Sequence, residues 1–220
     1  MVQFFLKGGL LMWPILICSI IALTIIFERT FHFRRAGIRT NGLIEKVIKM
    51  VKEGELEKAL EYTEKQRGAV AYILSLCLRE RSLPKKERDE IISLGGSREL
   101  RRLEKNVRTL GIIAHVTPLL GLLGTVTGMI RAFMKIQDLG GHVDASVLAG
   151  GIWEALITTA FGLAVAIPAM IAYHYFDERI DDISSRMKEA VQSIFGVKGV
   201  FGHDTTAGEG TIDEGVDYGV

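Results

Sequence analysis

The chain has 220 residues, of which 48% are hydrophobic, and a net charge of only +1. Its mean hydropathy of +0.26 is high for a soluble domain and predicts one membrane domain with one modest polar region. Its two cysteines lie in different segments, which excludes a disulfide framework.

The first apolar run, residues 8–27, carries no charge and is long enough to cross a bilayer. A cleaved signal peptide is the competing interpretation. Lys7 is the single basic residue before the run, and no small-residue cleavage site follows it, so we predict an uncleaved first span. Basic residues are frequent directly after this span, which predicts that residues 1–7 lie outside and the next segment inside.

Residues 28–109 hold 20 Lys and Arg against 13 Asp and Glu, and we predict that they form a cytoplasmic helical domain. Glycines and Pro84 divide the segment into short helices over about 43–53, 55–66 and 69–82 and a longer helix that continues into the second span. Attraction to anionic lipid headgroups explains the basic excess more simply than nucleic-acid binding, because no aromatic and basic interleaving is present.

The second and third spans are predicted at 110–130 and 149–176, joined by an outer turn at 131–148. Each span carries small residues at alternating spacings of four and three, which lie on one helix face. In the second span these are Ala114, Pro118, Gly121, Thr125, Gly128 and Ala132, and in the third Ala155, Thr159, Gly162, Ala166 and Ala169. Because small residues permit close helix approach in lipid, we predict helix packing through Gly121, Gly128, Ala155, Gly162 and Ala166.

Each stripe contains one threonine, Thr125 or Thr159. A rise of about 1.5 Å per residue brings both hydroxyls to within several Å of one level in the membrane. They either hydrogen-bond to carbonyls of their own helices or line a polar path, and composition leaves both interpretations open.

Glu154 is the one acidic residue within an apolar run. An acid inside a span is a functional candidate, but Glu154 lies near the outer end, where it can simply face water at the start of a helix. His115 is interpreted as hydrogen-bonded structure rather than a proton relay, and no neighbouring ligand spacing supports a metal site.

Residues 177–195 continue the third helix into the cytoplasm, where its apolar face is predicted to pack on the helical domain. Residues 196–220 are rich in glycine and acids and are predicted to form a disordered tail. Nucleophile-elbow, zinc-protease and phosphate-loop motifs are absent from the sequence, so we predict neither an enzyme nor a cofactor. A transmembrane ion gradient is then the expected source of energy.

The stretches PLLGLLGTVTGMIRAF (Pro118–Phe133) and GGIWEALITTAFGLAVAIPAMIAYHYF (Gly150–Phe176) resemble the ExbB/TolQ/MotA proton-channel family, and the ExbB branch most. The resemblance covers about residues 5–195. It implies an all-α membrane protein with three transmembrane helices, N-terminus out and C-terminus in, in the bacterial inner membrane, with residues 1–7 in the periplasm.

By motif, Thr125 corresponds to the pore-lining threonine of GTVxG, Thr159 to that of EALxxT, and Glu154 to the glutamate that opens it. The resemblance further implies a homo-oligomeric ring, a pentamer in most relatives, around an ExbD- or TolR-like single-span subunit that carries an intramembrane aspartate. Proton passage would then drive work on a TonB- or TolA-like protein.

The chain departs from the family pattern at Thr127, where tryptophan is frequent. The ExbB and TolQ branches both fit the sequence. A gliding-type stator and a passive membrane scaffold are the remaining alternatives, although the four spans of a flagellar stator argue against that type.

Overall fold

A computed structural model of the chain describes residues 9–37, 42–138 and 145–197. The described residues contain α-helices, one short 3-10 helix and no strand, as predicted. The helices, in chain order, are α1 (Met12–Gly37), α2 (Leu43–Lys52), α3 (Leu56–Lys65), α4 (Ala69–Arg79), α5 (Lys85–Asp138) and α6 (Ala145–Phe195), with the 3-10 turn Glu80–Ser82 before α5.

Three of these helices, α1, α5 and α6, are long and apolar enough to cross a membrane. The apolar part of α1 runs from Met12 to Phe31, four residues later at each end than the predicted span 8–27. Pro14 explains the late start, since proline is accommodated in the first turn of a helix, where its missing N–H has no partner to lose.

Helix α5 extends beyond residue 130, where the second span was predicted to end. Helix α5 continues to Asp138 and α6 begins at Ala145, so only residues 139–144 separate the two helices. The segment 131–138 contains Ala, Phe, Met, Lys, Ile and Gln, which propagate a helix readily. Polarity alone suggested a turn there, although no helix-breaking residue is present before Gly140.

The chain divides into two compact units. The first, here called the span unit, contains the described residues up to Arg29 together with those of Asn106–Phe176, and the second, the polar unit, contains the described residues of Thr30–Lys105 and those from Asp177 onward. Many large apolar side chains in the span unit are exposed, as expected for a lipid-facing surface. Examples are Trp13, Phe27, Leu119, Phe133, Leu156 and Ile171.

In the polar unit, α2 contacts α3 and α3 contacts α4. Helix α2 buries Leu43, Val47 and Val51, which are four residues apart and therefore share one face. Helix α4 is buried on nearly every side from Val70 to Leu78. In α3, Leu56 and Leu60 are only half-buried, because α3 turns Ala59 and Thr63 inward.

The C-terminal end of α6 packs on α5 within the polar unit. The Cε of Met187 would lie 3.6 Å from a side chain built at Gly96, and the guanidinium of Arg88 lies 4.7 Å from the centre of the Phe195 ring. A small cavity between the helices is lined by Ile92 and Val191 among others. These contacts show that α5 and α6 run antiparallel here and set their register. The predicted tail from residue 198 onward lies outside the described residues.

Burial raises the pKa of the Cys77 thiol to about 12, although the nearby positive charge of Arg88 opposes the shift. Because the thiolate is the reactive form, we expect iodoacetamide to modify Cys77 at pH 8 at least on the order of a hundredfold more slowly than an exposed thiol. A Cys18→Ser variant isolates Cys77, and Ser185→Cys in a chain without the two native cysteines supplies the exposed reference. Equal rates in the folded protein would contradict the buried position of Cys77.

Candidate functional site in the paired spans

Helix α5 presents a narrow face of small side chains within the span unit. Its buried positions follow one another at spacings of three or four residues and are Ala114, Thr117, Gly121, Gly124, Gly128 and Ala132. In lipid, where apolar side chains gain little by leaving the solvent, such a face favours close contact between backbones.

The matching face of α6 consists of Ala155, Thr158, Gly162, Ala166 and Ala169. Side chains built at glycines on α5 reach this face directly. A Cβ at Gly128 would lie 3.2 Å from the Cβ of Ala155, and one at Gly124 would overlap the side chain of Thr158. The two small-residue faces therefore pack on each other.

The tightest approach is at Gly162. A Cβ at this position would lie 2.9 Å from the carbonyl oxygen of Thr117 and 3.1 Å from the Cα of Gly121. A Cβ at Gly121 would in turn lie 3.1 Å from the Cα of Thr159. Backbone meets backbone at this crossing, so neither glycine can be enlarged unless the helices move apart.

Thr159 joins the two helices directly. Its hydroxyl donates a hydrogen bond of 2.9 Å to the carbonyl oxygen of Gly121. Thr125 instead donates to the carbonyl oxygen of Leu122, 2.7 Å away in its own helix. The two acceptors, Gly121 and Leu122, are adjacent residues of α5 and differ by about 1.5 Å in rise, so the two hydroxyls lie at nearly the same level.

The centre of the packed face differs from the predicted stripe. Thr125, Thr159 and Pro118 are half-buried, whereas Thr117, Gly124 and Thr158 are buried. The alternating spacing of four and three is compatible with two neighbouring faces, and the predicted stripes differ from the buried face by one residue at three positions. Thr125 and Thr159 consequently lie at the edge of the contact.

Thr117 and Thr158 were not singled out from the sequence. Both are almost fully buried, and each donates to the carbonyl oxygen of the residue four positions earlier, Ile113 at 2.6 Å and Glu154 at 2.8 Å. This hydrogen bond hides the hydroxyl from lipid and leaves the methyl group for packing. The spacing of Gly121, Gly124 and Gly128 was the signal that could have located this face.

Glu154 has a specific partner. Its Oε1 accepts a hydrogen bond of 2.7 Å from Nη1 of Arg131, which forms an ion pair between α6 and α5. The side chain of Glu154 is 26% exposed and that of Arg131 51%. A Cβ at Gly9, just before α1, would overlap Oε1 of Glu154, so the chain preceding α1 lies on the carboxylate as well.

Glu154 was interpreted as a carboxylate at the start of a helix that faces water, and this interpretation did not include the guanidinium of Arg131 beside it. The charge of Glu154 is balanced by Arg131 and only partly hydrated. Arg131 was predicted to lie in the outer turn, without a partner, because the second span was expected to end at residue 130.

His115 is exposed on α5, and its Nδ1 donates to the carbonyl oxygen of Gly111 at 2.7 Å. This contact lies within one helix and joins His115 to neither threonine nor Glu154. In the part of the chain that the structure describes, no three His, Cys, Asp or Glu side chains come together as metal ligands do.

The fold and this site are those of an all-helical membrane protein whose last two spans are closely packed. Residues 65–189 match the model of the MotA/TolQ/ExbB proton channel family, and this range contains α4, both paired spans and every residue of the candidate site except Gly9. The chain belongs to this family.

Individual relatives match this chain over different extents. An ExbB-like biopolymer transport protein 1 of Synechocystis sp. is 38% identical over 172 residues, which are 77% of this chain and 67% of that protein. Biopolymer transport protein exbB1 of Vibrio cholerae is 29% identical over 74% of this chain and 72% of its own length. The Tol-Pal system protein TolQ of Haemophilus influenzae is 41% identical over 92 residues, 42% of this chain and 40% of that protein.

Proposed function

We propose that this chain is the ring-forming subunit of a proton-driven motor of the ExbB–ExbD type in the bacterial inner membrane. Copies of the chain surround the single transmembrane helix of an ExbD-like partner that carries an intramembrane aspartate. Proton passage changes the charge of that aspartate, and the resulting movement does work on a TonB-like protein. The N-terminus lies in the periplasm and the polar unit in the cytoplasm.

One observation carries this proposal. The region that matches the proton-channel family contains two spans that pack closely and leave the hydroxyls of Thr125 and Thr159 half-buried. These hydroxyls are accessible at the edge of the pair, where a further helix can approach. A hydroxyl oxygen can accept a hydrogen bond from water while its own hydrogen is donated to a carbonyl. The existing hydrogen bonds of Thr125 and Thr159 therefore leave the acceptor capacity of both oxygens unused.

The close backbone contact between α5 and α6 suits a ring that transmits force. Packed faces without flexible side chains have little freedom to deform, because protein interiors are dense and resist compression. In this proposal the α5–α6 pair moves as one element, and Glu154 with Arg131 lies near the outer mouth of the proton path.

A TolQ-type subunit of the Tol-Pal system is the second candidate. The identity of 41% with the Haemophilus TolQ supports it, although the similarity covers only 42% of this chain. The Synechocystis and Vibrio relatives cover 77% and 74% of the chain, and these carry the biopolymer transport name. We therefore place the ExbB type first.

Native mass spectrometry of the complex, extracted gently from its own membranes, tests the proposal. We expect a homo-oligomer, a pentamer if the stoichiometry of the family holds, that retains fewer copies of a small single-span protein with an intramembrane aspartate. The identity of that protein separates the ExbB and TolQ types. A monomer or dimer, under conditions that preserve other membrane complexes, would instead indicate a passive scaffold.

Thr125→Val is expected to lower proton-driven activity at least about tenfold while the oligomer still assembles, because it removes a hydroxyl at the edge of the pair but preserves side-chain volume. Thr127→Val is the matched control. Thr127 is also half-buried and bonds within its own helix, to Leu123 at 3.0 Å. Activity in the cell and native mass spectra measure the two effects. Equal activity of both variants would exclude Thr125 from the proton path.

A further inference from the structure

Helix α5 carries a stripe of exposed basic side chains before its apolar part. The stripe consists of Arg98, Arg101, Lys105 and Arg108, at spacings of three and four, with Arg102 beside it. Over residues 98–108 five basic residues stand against two acidic ones. The half-buried Glu99 lies 3.8 Å from Arg102, which is 80% exposed.

Helix α6 carries the opposite charge directly after its apolar part. Residues 177–182 contain four acidic residues and one basic residue, and Glu178, Asp181 and Asp182 are exposed. Arg179 lies 3.5 Å from Asp182, and both side chains are more than half exposed. Among the described residues, no ion pair is formed by Arg101, Lys105, Glu178 or Asp181.

The two charged faces lie at the same level. Gly96 is packed against Met187, and α5 and α6 are antiparallel, so moving five or six residues forward from Gly96 corresponds to moving five or six residues back from Met187. Arg101 and Arg102 are therefore level with Asp182 and Asp181, about 8–9 Å from the Gly96 contact. Lys105 is level with Glu178 by the same register.

We propose that these two faces form an interface between neighbouring copies of this chain, in which the basic stripe on α5 of one copy meets the acidic face on α6 of the next. A bilayer holds all copies at one depth, so faces that are level within one copy are also level between copies. Two different surfaces that complement each other form a head-to-tail contact, which closes into a ring when the rotation between copies permits. The inference rests on the proposed function, because it specifies how that ring is held together.

Anionic lipid headgroups are the other partner that a basic helix face can bind. Asp181 and Asp182 are exposed at the same level as Arg101 and Arg102 and would repel an anionic surface. This observation favours a protein partner of mixed charge over the membrane surface.

A charge-exchange experiment tests the interface. We expect Arg101→Glu with Arg102→Glu, and separately Asp181→Lys with Asp182→Lys, to lower the population of the full ring at least about tenfold at fixed protein and detergent concentrations, because like charges then face each other. The four substitutions together restore opposite charges and are expected to restore the ring. Lys85→Glu with Lys86→Glu is the matched control, since both lysines are exposed at the start of α5, away from the stripe.

Native mass spectrometry gives the ring population, and protection of Cys77 from iodoacetamide shows whether each variant is folded. Loss of the ring in both pairs, with recovery in the combined variant, supports the interface. Loss only in the arginine variant, without recovery and with weaker binding to anionic vesicles, would assign the stripe to lipid and overturn the inference. A ring that tolerates every reversal would overturn it while leaving the proposed function intact, whereas a wild-type chain that forms no ring would overturn both.

Discussion

Replacing Gly162 by alanine is expected to destabilise the pairing of α5 and α6 by about 2–3 kcal/mol, the upper part of the range for overpacking a tight contact. The new Cβ would lie 2.9 Å from the carbonyl oxygen of Thr117 and 3.1 Å from the Cα of Gly121. Both neighbours are backbone atoms, so the clash cannot be relieved by a change of rotamer. The helices must separate, which also lengthens the hydrogen bond from Thr159 to Gly121.

Gly150 supplies the control for this substitution. It lies in the same helix, is exposed, and has no atom within 4 Å of a built Cβ. Gly150→Ala is therefore expected to leave stability unchanged or raise it by up to about 1 kcal/mol through helix propensity. Unfolding in detergent, followed by circular dichroism, compares the two variants. Similar stability of both would show that α5 and α6 do not approach as closely as described.

Removing the cation of the ion pair, with Arg131→Met, is expected to cost about 1–2 kcal/mol. Glu154 is 26% exposed, so its carboxylate would be left partly dehydrated without a partner. Exposure of Arg131 keeps the cost below the larger values measured for fully buried pairs. The double variant Arg131→Met with Glu154→Gln is expected to recover most of this stability, because neither charge is then left alone.

The same variants separate a structural role of Glu154 from a role in the proton path. If Glu154 takes part in proton passage, as proposed, activity is lost in Glu154→Gln and stays lost in the stabilised double variant. Recovery of both stability and activity in the double variant would assign the carboxylate to structure alone. Lys65→Ala, which removes a solvent-exposed pair with Glu61, is expected to change neither measurement.

The sequence was sufficient for the membrane class and for most helices. Runs without charge predict spans because an apolar helix satisfies its own backbone hydrogen bonds in lipid. Glycine and proline locate the short helices of the polar unit, since Gly42, Gly54 and Gly68 all have positive φ angles that other residues rarely adopt. The spacing of small residues also predicted that α5 and α6 would pack.

The centre of that packed face could not be fixed from spacing. Thr117 and Pro118 are three and four residues after Ala114, and Thr158 and Thr159 are three and four residues after Ala155. Both spacings keep a residue on the same side of a helix as its neighbour, so only the partner helix decides between them. The pairing of Arg131 with Glu154 was missed for a related reason. It depends on where α5 ends, and helix ends are set by local contacts that a hydropathy pattern does not contain.

The short connection between α5 and α6 bears on how the protein enters the membrane during synthesis. Only six residues of sequence, 139–144, lie between the two helices, so bringing the helices together costs little chain entropy. The pair can therefore insert as one helical hairpin, with the glycine contacts formed as the second helix follows the first. Arg131 and Glu154 lie near the tip of that hairpin. Because each charge has its partner within the same hairpin, neither must cross the hydrocarbon layer alone.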